Sequence, residues 1–237
     1  MEYNTGHFLE MLDALHVTVS EQQVQQFLDY YEMLIEKNKV MNLTAITDFD
    51  EVVEKHFVDS VAAVQMMAFD GPLRVLDLGT GAGFPGIPLK IVFPGLNVVL
   101  ADSLNKRLVF LNEVIEKLGL SDIKTVHGRA EDLARMPVYR EQFDVCVSRA
   151  VANLSTLAEY CLPFVHIGGT FLSYKAGECD EEVAAAKSSV FLLGGKVKEV
   201  RKFELGESKR AFVAIEKVNG TPKKYPRKAG MPTKNPL

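Results

Sequence analysis

A chain of 237 residues, 47% hydrophobic and 24% charged, is long enough for one α/β domain with a sizeable core, alone or with a small appendage. No stretch of about 18 uninterrupted apolar residues occurs, the start MEYNTGHFLE lacks the basic-then-apolar order of a secretion signal, and neither Cys146, Cys161 and Cys179 nor the five histidines fall at metal-binding spacings. These features predict a globular cytoplasmic protein without membrane span, disulfide or metal, its cysteines serving as small buried hydrophobes. The net charge of −4 is uneven: Thr221–Leu237 carries five basic residues and no acidic one, leaving 22 basic against 31 acidic residues elsewhere, or −9.

Residues 1–70 read as an N-terminal helical extension. Apolar residues at Phe8, Leu9, Leu12 and Leu15, then at Val24, Phe27, Leu28, Tyr31, Leu34 and Ile35, recur every three or four positions, as amphipathic helices require. Ser20 and Gln23 suit a capping box for the second run. Asn42-Leu43-Thr44-Ala45 interrupts it, and a further helix is predicted from about Phe49 to Ala68.

From Leu73 the pattern alternates. Strands are predicted at Arg74–Leu78, Asn97–Asp102, Ile123–His127, Phe143–Ser148, Thr170–Lys175, Lys196–Phe203 and Ala211–Lys217. Helices fill most gaps, at Pro85–Phe93, Lys106–Leu118, Leu154–Leu162 and Glu181–Leu193. Such alternation builds an open, mostly parallel sheet covered on both faces. Only Glu204–Arg210 separates the last two strands, too little for a parallel crossover, so they should form an antiparallel hairpin. The expected fold is α/β, five parallel strands plus a terminal hairpin, over residues 71–219. Residues 220–237 contain Pro222, Pro226, Pro232 and Pro236, each lacking a backbone donor, and read as an extended basic arm with no regular element.

The segment Arg74–Pro88, RVLDLGTGAGFPGIP, joins a buried strand to a glycine turn that a ligand can approach closely. From Gly81 it matches G-x-G-x-x-G through Gly83 and Gly86, with Asp102 about twenty residues on, as in dinucleotide sites. From Asp77 it reads D-x-G-x-G-x-G through Gly79, Gly81 and Gly83, the motif of class I S-adenosylmethionine-dependent methyltransferases; a purely structural turn is a third reading. The bulky Phe84-Pro85 pair, the terminal hairpin and His-Gly-Arg-Ala-Glu-Asp at 127–132, just after the third strand, favour the methyltransferase.

On that reading Asp102 accepts the two ribose hydroxyls, unless it merely caps the next helix. Ala130 and Glu131 border the adenine, unless Glu131 is a solvated carboxylate at a helix start. Asp77 orients the turn and faces the methionine ammonium. Arg149, in Ser148-Arg149-Ala150 at the end of the fourth strand, lies where ligands gather in open α/β sheets; it could contact the cofactor, contact the O6/N7 edge of a guanine, or form a structural ion pair. His56-Phe57-x-x-Ser60 reads as packing before it reads as a cleft lining. Lys106-Arg107, cations at a helix start, hint at a polyanion. In the tail, Lys223, Lys224, Arg227 and Lys228 could pair with phosphates while Tyr225 stacks on an unpaired base, the alternative being a solubilising terminus.

The chain resembles the glucose-inhibited division protein B family, bacterial small-subunit (16S) ribosomal RNA guanine-N7 methyltransferases, over essentially its whole length. Tyr30-Tyr31, Asn42 to Ile46, His56 to Ser60, Asp77 to Pro88, Asp102 to Arg107, Ser148 to Ala150, and Lys175 carry the likeness. It implies S-adenosylmethionine as cofactor, contacted by Gly79, Phe84, Ala130, Glu131 and Arg149. It also implies 16S ribosomal RNA or the small subunit as partner, with the helical N-terminal part and basic surfaces helping to hold RNA; a monomer is expected, with Lys175 among the RNA contacts. One departure is visible: the family often has tryptophan before the asparagine at Asn38, where this chain has Lys37 and no tryptophan at all. Other readings are a methyltransferase of this fold with another substrate, a nicotinamide-dependent oxidoreductase, and a non-catalytic RNA-binding protein.

Overall fold

The computed structural model describes residues 3–149 and 152–237. Its strands are β1 (Arg74–Leu78), β2 (Asn97–Asp102), β3 (Ile123–His127), β4 (Phe143–Ser148), β5 (Val165–Ala176), β6 (Gly195–Leu205) and β7 (Ser208–Lys217). They form one sheet in the order β3-β2-β1-β4-β5-β7-β6. The first five pair in parallel, and β7 inserts antiparallel between β5 and β6. The short link between β6 and β7 dictates that reversal.

Alternate residues of the central strands feed two separate apolar clusters, as a strand with both faces covered requires. Val75, Val98, Leu100, Val145 and Val147 join one cluster, while Leu76, Val99, Ala101 and Cys146 join the other. All three cysteines are buried and free. Among the described residues no helix is long and apolar enough to cross a membrane.

The first cluster is closed by the N-terminal helices α1 (Gly6–Ala14) and α2 (Glu21–Met41), then α3 (Phe49–Val52), a π turn at Val53–Val58 and α4 (Asp59–Val61). In α2, Phe27, Tyr30, Tyr31 and Leu34 form the buried stripe, and the Ser20–Gln23 capping box is complete. The single helix expected over residues 49–68 is corrected: the π turn and a 3-10 turn at Ala62–Gln65 break it. Lys37, at the position of the departure from the family pattern, pairs with Glu113 at 2.8 Å.

The remaining helices are α5 (Gly86–Val92), α6 (Asn105–Leu118), α7 (Ala130–Leu133), α8 (Leu154–Cys161), α9 (Asp180–Leu192) and α10 (Met231–Lys234). The last corrects the expectation of a tail without regular structure. The tail docks rather than projects: Thr221, Tyr225, Pro226 and Pro232 are buried, and Arg227 forms a two-point pair with the fully buried Glu159 (Nη2–Oε2 2.7 Å, Nε–Oε1 3.0 Å). A charge as deeply buried as that of Glu159 demands such a partner.

Candidate active site

Residues of interest gather at the carboxyl ends of β1 to β4, where the strand order reverses between β1 and β4 and open α/β sheets hold ligands. Asp77 sits in β1 beside Leu100 and Val147. It is fully buried; its Oδ2 accepts from the Gly86 amide at 2.8 Å and the Thr80 hydroxyl at 2.7 Å. Its Oδ1 has no hydrogen-bond partner among the described residues. Burial, only partly opposed by these bonds and by Arg149, raises the Asp77 pKa to about 6.

The glycines of the turn divide their work. Gly79, Gly81 and Gly83 all have positive φ, which L side chains disfavour. A Cβ on Gly81 would meet nothing within 4 Å, so that position opens onto free space. A Cβ on Gly83 would come within 2.6 Å of the Tyr30 hydroxyl, and one on Gly86 within 2.4 Å of Leu100 and 2.8 Å of Asp77. Gly86 therefore serves close packing of α5 on the sheet. The G-x-G-x-x-G match thus ends on a packing residue.

Asp102, at the end of β2, accepts from the Gly81 amide at 3.0 Å, the Leu104 amide at 2.8 Å and Arg107 at 3.2 Å. It caps the following turn, as one sequence reading has it, and it also lies against the glycine loop. A carboxylate has about four acceptor positions, so one remains. Arg107 is committed to this carboxylate, which corrects its reading as a cation left for a polyanion. Glu131, in α7 just past β3, is buried, and its Oε1 accepts from the Gly230 amide at 2.9 Å.

Arg149 follows β4. It pairs with Asp59 at 2.8 Å, donates to the Lys55 carbonyl at 3.1 Å and lies 5.0 Å above the Phe84 ring. Ala150, the last residue of its motif, lies outside the described residues. The Asp59 carboxylate also takes Arg210 of β7 at 3.0 Å, so one buried acid carries two guanidinium groups. His56, on the π turn, stacks on Phe84 at 4.7 Å. Burial and Arg149 lower its pKa to about 4, so at neutral pH it is uncharged. Its Nδ1 lies 3.0 Å from the Lys55 carbonyl and 3.4 Å from Arg149 Nη2, and its Nε2 lies 2.8 Å from the Thr44 hydroxyl.

Beyond Arg149 a cavity of about 680 Å³ opens, lined in part by Lys55, His56, Asp59, Arg149, Lys175 and Arg210. Lys175 is not a free surface cation: it donates to Glu182 at 2.6 Å and to the Ala152 carbonyl at 2.7 Å. The expected stacking role of Tyr225 is corrected by its 6% exposure, and that of Arg227 as a phosphate contact by its bond to Glu159. Lys223, Lys224 and Lys228 are exposed.

Sequence reasoning assigned no role to Tyr30, Thr80, Asp59 or Arg210. Tyr30 donates to the Ala82 carbonyl inside the glycine turn. The signal for Tyr30 and Asp59 was their place in segments carrying the family likeness; Arg210 offered none.

The fold and the glycine turn define a class I S-adenosylmethionine-dependent methyltransferase. Among solved structures, a SAM dependent methyltransferase from Aquifex aeolicus shares this fold with a TM-score of 0.54 and 19% identity, over 73% of this chain and 96% of that one. The sequence profile of GidB, rRNA small subunit methyltransferase G, matches residues 23–213, and the chain belongs to that family. Relatives named Ribosomal RNA small subunit methyltransferase G include one from Lachnoclostridium phytofermentans, 50% identical over 97% of this chain and 96% of its own length. Another, from Exiguobacterium sp., is 50% identical over 99% of both chains.

Proposed function

We propose that this chain methylates N7 of one guanine in 16S ribosomal RNA, acting as a cytoplasmic monomer on the RNA or the small subunit. The carrying observation is the buried Asp77 oxygen without a partner, set in a glycine turn that is open at Gly81. An ammonium-bearing ligand supplies the donor that this oxygen lacks, and S-adenosylmethionine has one.

The residues fit that cofactor. Gly79 and Gly81 admit it to the backbone, Gly83 makes room behind the turn for the Tyr30 hydroxyl, Asp77 receives the ammonium and Phe84 walls the cofactor. Asp102 offers its remaining acceptor position to the ribose, while Ala130 and Glu131 border the adenine. Arg149, held by Asp59 over Phe84, stands between this pocket and the cavity lined by Lys175 and Arg210, where the guanine would enter. The exposed Lys223, Lys224 and Lys228 add positive charge for RNA.

S-adenosylmethionine supplies an electrophilic methyl group. Guanine N7 has an available lone pair, so no side chain need remove a proton, and His56, neutral and fully engaged, is not required as a base. The protein contributes alignment and exclusion of water. Nucleoside analysis of 16S ribosomal RNA from cells with and without this chain tests the reading: loss of one 7-methylguanosine is expected, and an unchanged profile would reject it.

A further inference from the structure

We propose that the C-terminal segment from Tyr225 to Lys234 is a strap that positions Glu131 at the adenine end of the cofactor pocket. This rests on the reading of Glu131 as a cofactor contact. The strap is anchored on two elements at once. Behind α7, Arg140 donates to the carbonyls of Tyr225 at 3.0 Å and Thr221 at 2.8 Å, and Arg135 donates to the Pro226 carbonyl. On α8, Glu159 holds Arg227, the Thr156 hydroxyl donates to the Pro232 carbonyl at 3.0 Å, and Tyr160 meets Thr233 at 2.9 Å.

Between these anchors the chain turns at Gly230, where φ is +79°, and its amide points to Glu131 Oε1. That bond occupies one carboxylate oxygen and leaves Oε2 without a hydrogen bond among the described residues. A buried carboxylate fixed at one oxygen presents the other in a single direction. The strap thus sets the orientation of a pocket residue through a backbone amide, which no side-chain motif would reveal. By reciprocity, a ligand that engages Glu131 steadies the strap.

Two measurements test this. Gly230→Pro removes the amide hydrogen and cannot adopt the positive φ. Its dissociation constants for S-adenosylhomocysteine and for methylthioadenosine should both rise about fivefold, the worth of one hydrogen bond. Unchanged affinities in a folded variant overturn the proposal. Glu131→Ala separates the two claims: if it binds cofactor normally, the reading of Glu131 fails, whereas if it is weakened and Gly230→Pro is not, only the strap fails. In the unaltered protein, S-adenosylhomocysteine should slow tryptic cleavage after Lys228 and Lys234, and equal rates with and without ligand would also overturn the proposal.

Discussion

The Tyr30 hydroxyl donates to the Ala82 carbonyl, tying the middle of α2 to the glycine turn. The same hydroxyl occupies the space that a side chain on Gly83 would need. The N-terminal helices therefore help to hold the glycine turn in shape. Tyr30→Phe keeps the ring packing against Phe57 and Phe84 but leaves a buried carbonyl short of a donor. It should lower stability by about 1 kcal/mol and weaken cofactor binding several-fold, as denaturant melts and calorimetry would show.

Asp59 carries two cations, so its loss leaves both guanidinium groups unpaired beside the cavity. Arg149 and Arg210 keep partial solvent access, which moderates the cost of a broken buried pair. Asp59→Asn should destabilise the chain by about 2 kcal/mol and reduce methyl transfer to 16S ribosomal RNA at least tenfold. Arg149→Ala should lower cofactor affinity, turnover or both; if neither changes, Arg149 has no part in the site.

The raised pKa of Asp77 has a definite sign. In the folded chain this carboxyl keeps its proton to about pH 6, whereas in the unfolded chain it releases it near pH 4. The folded state binds the extra proton between those values, so stability falls as pH rises across them, by on the order of 3 kcal/mol from this group alone. An ammonium favours the ionised form. Affinity for S-adenosylhomocysteine should therefore rise about tenfold from pH 5 to pH 8 and level off above pH 7. Methylthioadenosine, lacking the amino-acid portion, should show no such rise, and Asp77→Asn should abolish it.

Two glycines in one motif should fail differently when changed. Gly86→Ala drives a methyl group into Leu100 and Asp77, which predicts a loss of about 2 kcal/mol in stability. Gly81→Ala meets no atom and costs only about 1 kcal/mol through its left-handed backbone, yet it places a methyl group where the proposed binding mode brings the cofactor. Thermal melts should single out Gly86→Ala, and binding assays Gly81→Ala.

Lys223, Lys224 and Lys228 are the tail cations to test against RNA. Replacing all three with alanine should reduce the slope of log affinity against log salt by about 2, if each meets a phosphate. Arg227→Ala should instead lower stability, because it strands the buried Glu159.

The inner strands β1, β2 and β4 were readable because burial on both faces leaves dense apolar runs, and β1 to β4 begin and end at their expected residues. β5 was underestimated. It starts at Val165 rather than Thr170 and takes in Gly168 and Gly169; a Cβ on Gly169 would lie 2.6 Å from the Asp144 carbonyl, so the glycine permits a close approach at the irregular pairing with β4. The break in the helix after Val52 was not readable, since the π turn answers to partners far away in sequence, Arg149 above all. The tail misled for the same reason. Its composition is that of a solvated arm, and only the distant Glu159, Arg140 and Glu131 show why it lies flat. At the site, the residue types of Asp77, Asp102 and the glycines announced a ligand turn, while the partnership of Asp59 with two arginines required the folded chain.

The insertion of β7 between β5 and β6 also dictates an order of events during synthesis. Until residues beyond Ser208 emerge, β5 presents bare amides and carbonyls along one edge, and β6 has no neighbour at all. The final hairpin covers that edge of β5 and makes β6 the outer strand, so a chain stalled or truncated before it leaves β5 bare and able to recruit another strand. Pairing of this edge of β5 thus waits on residues past Ser208, just ahead of the tail that docks beside Glu131.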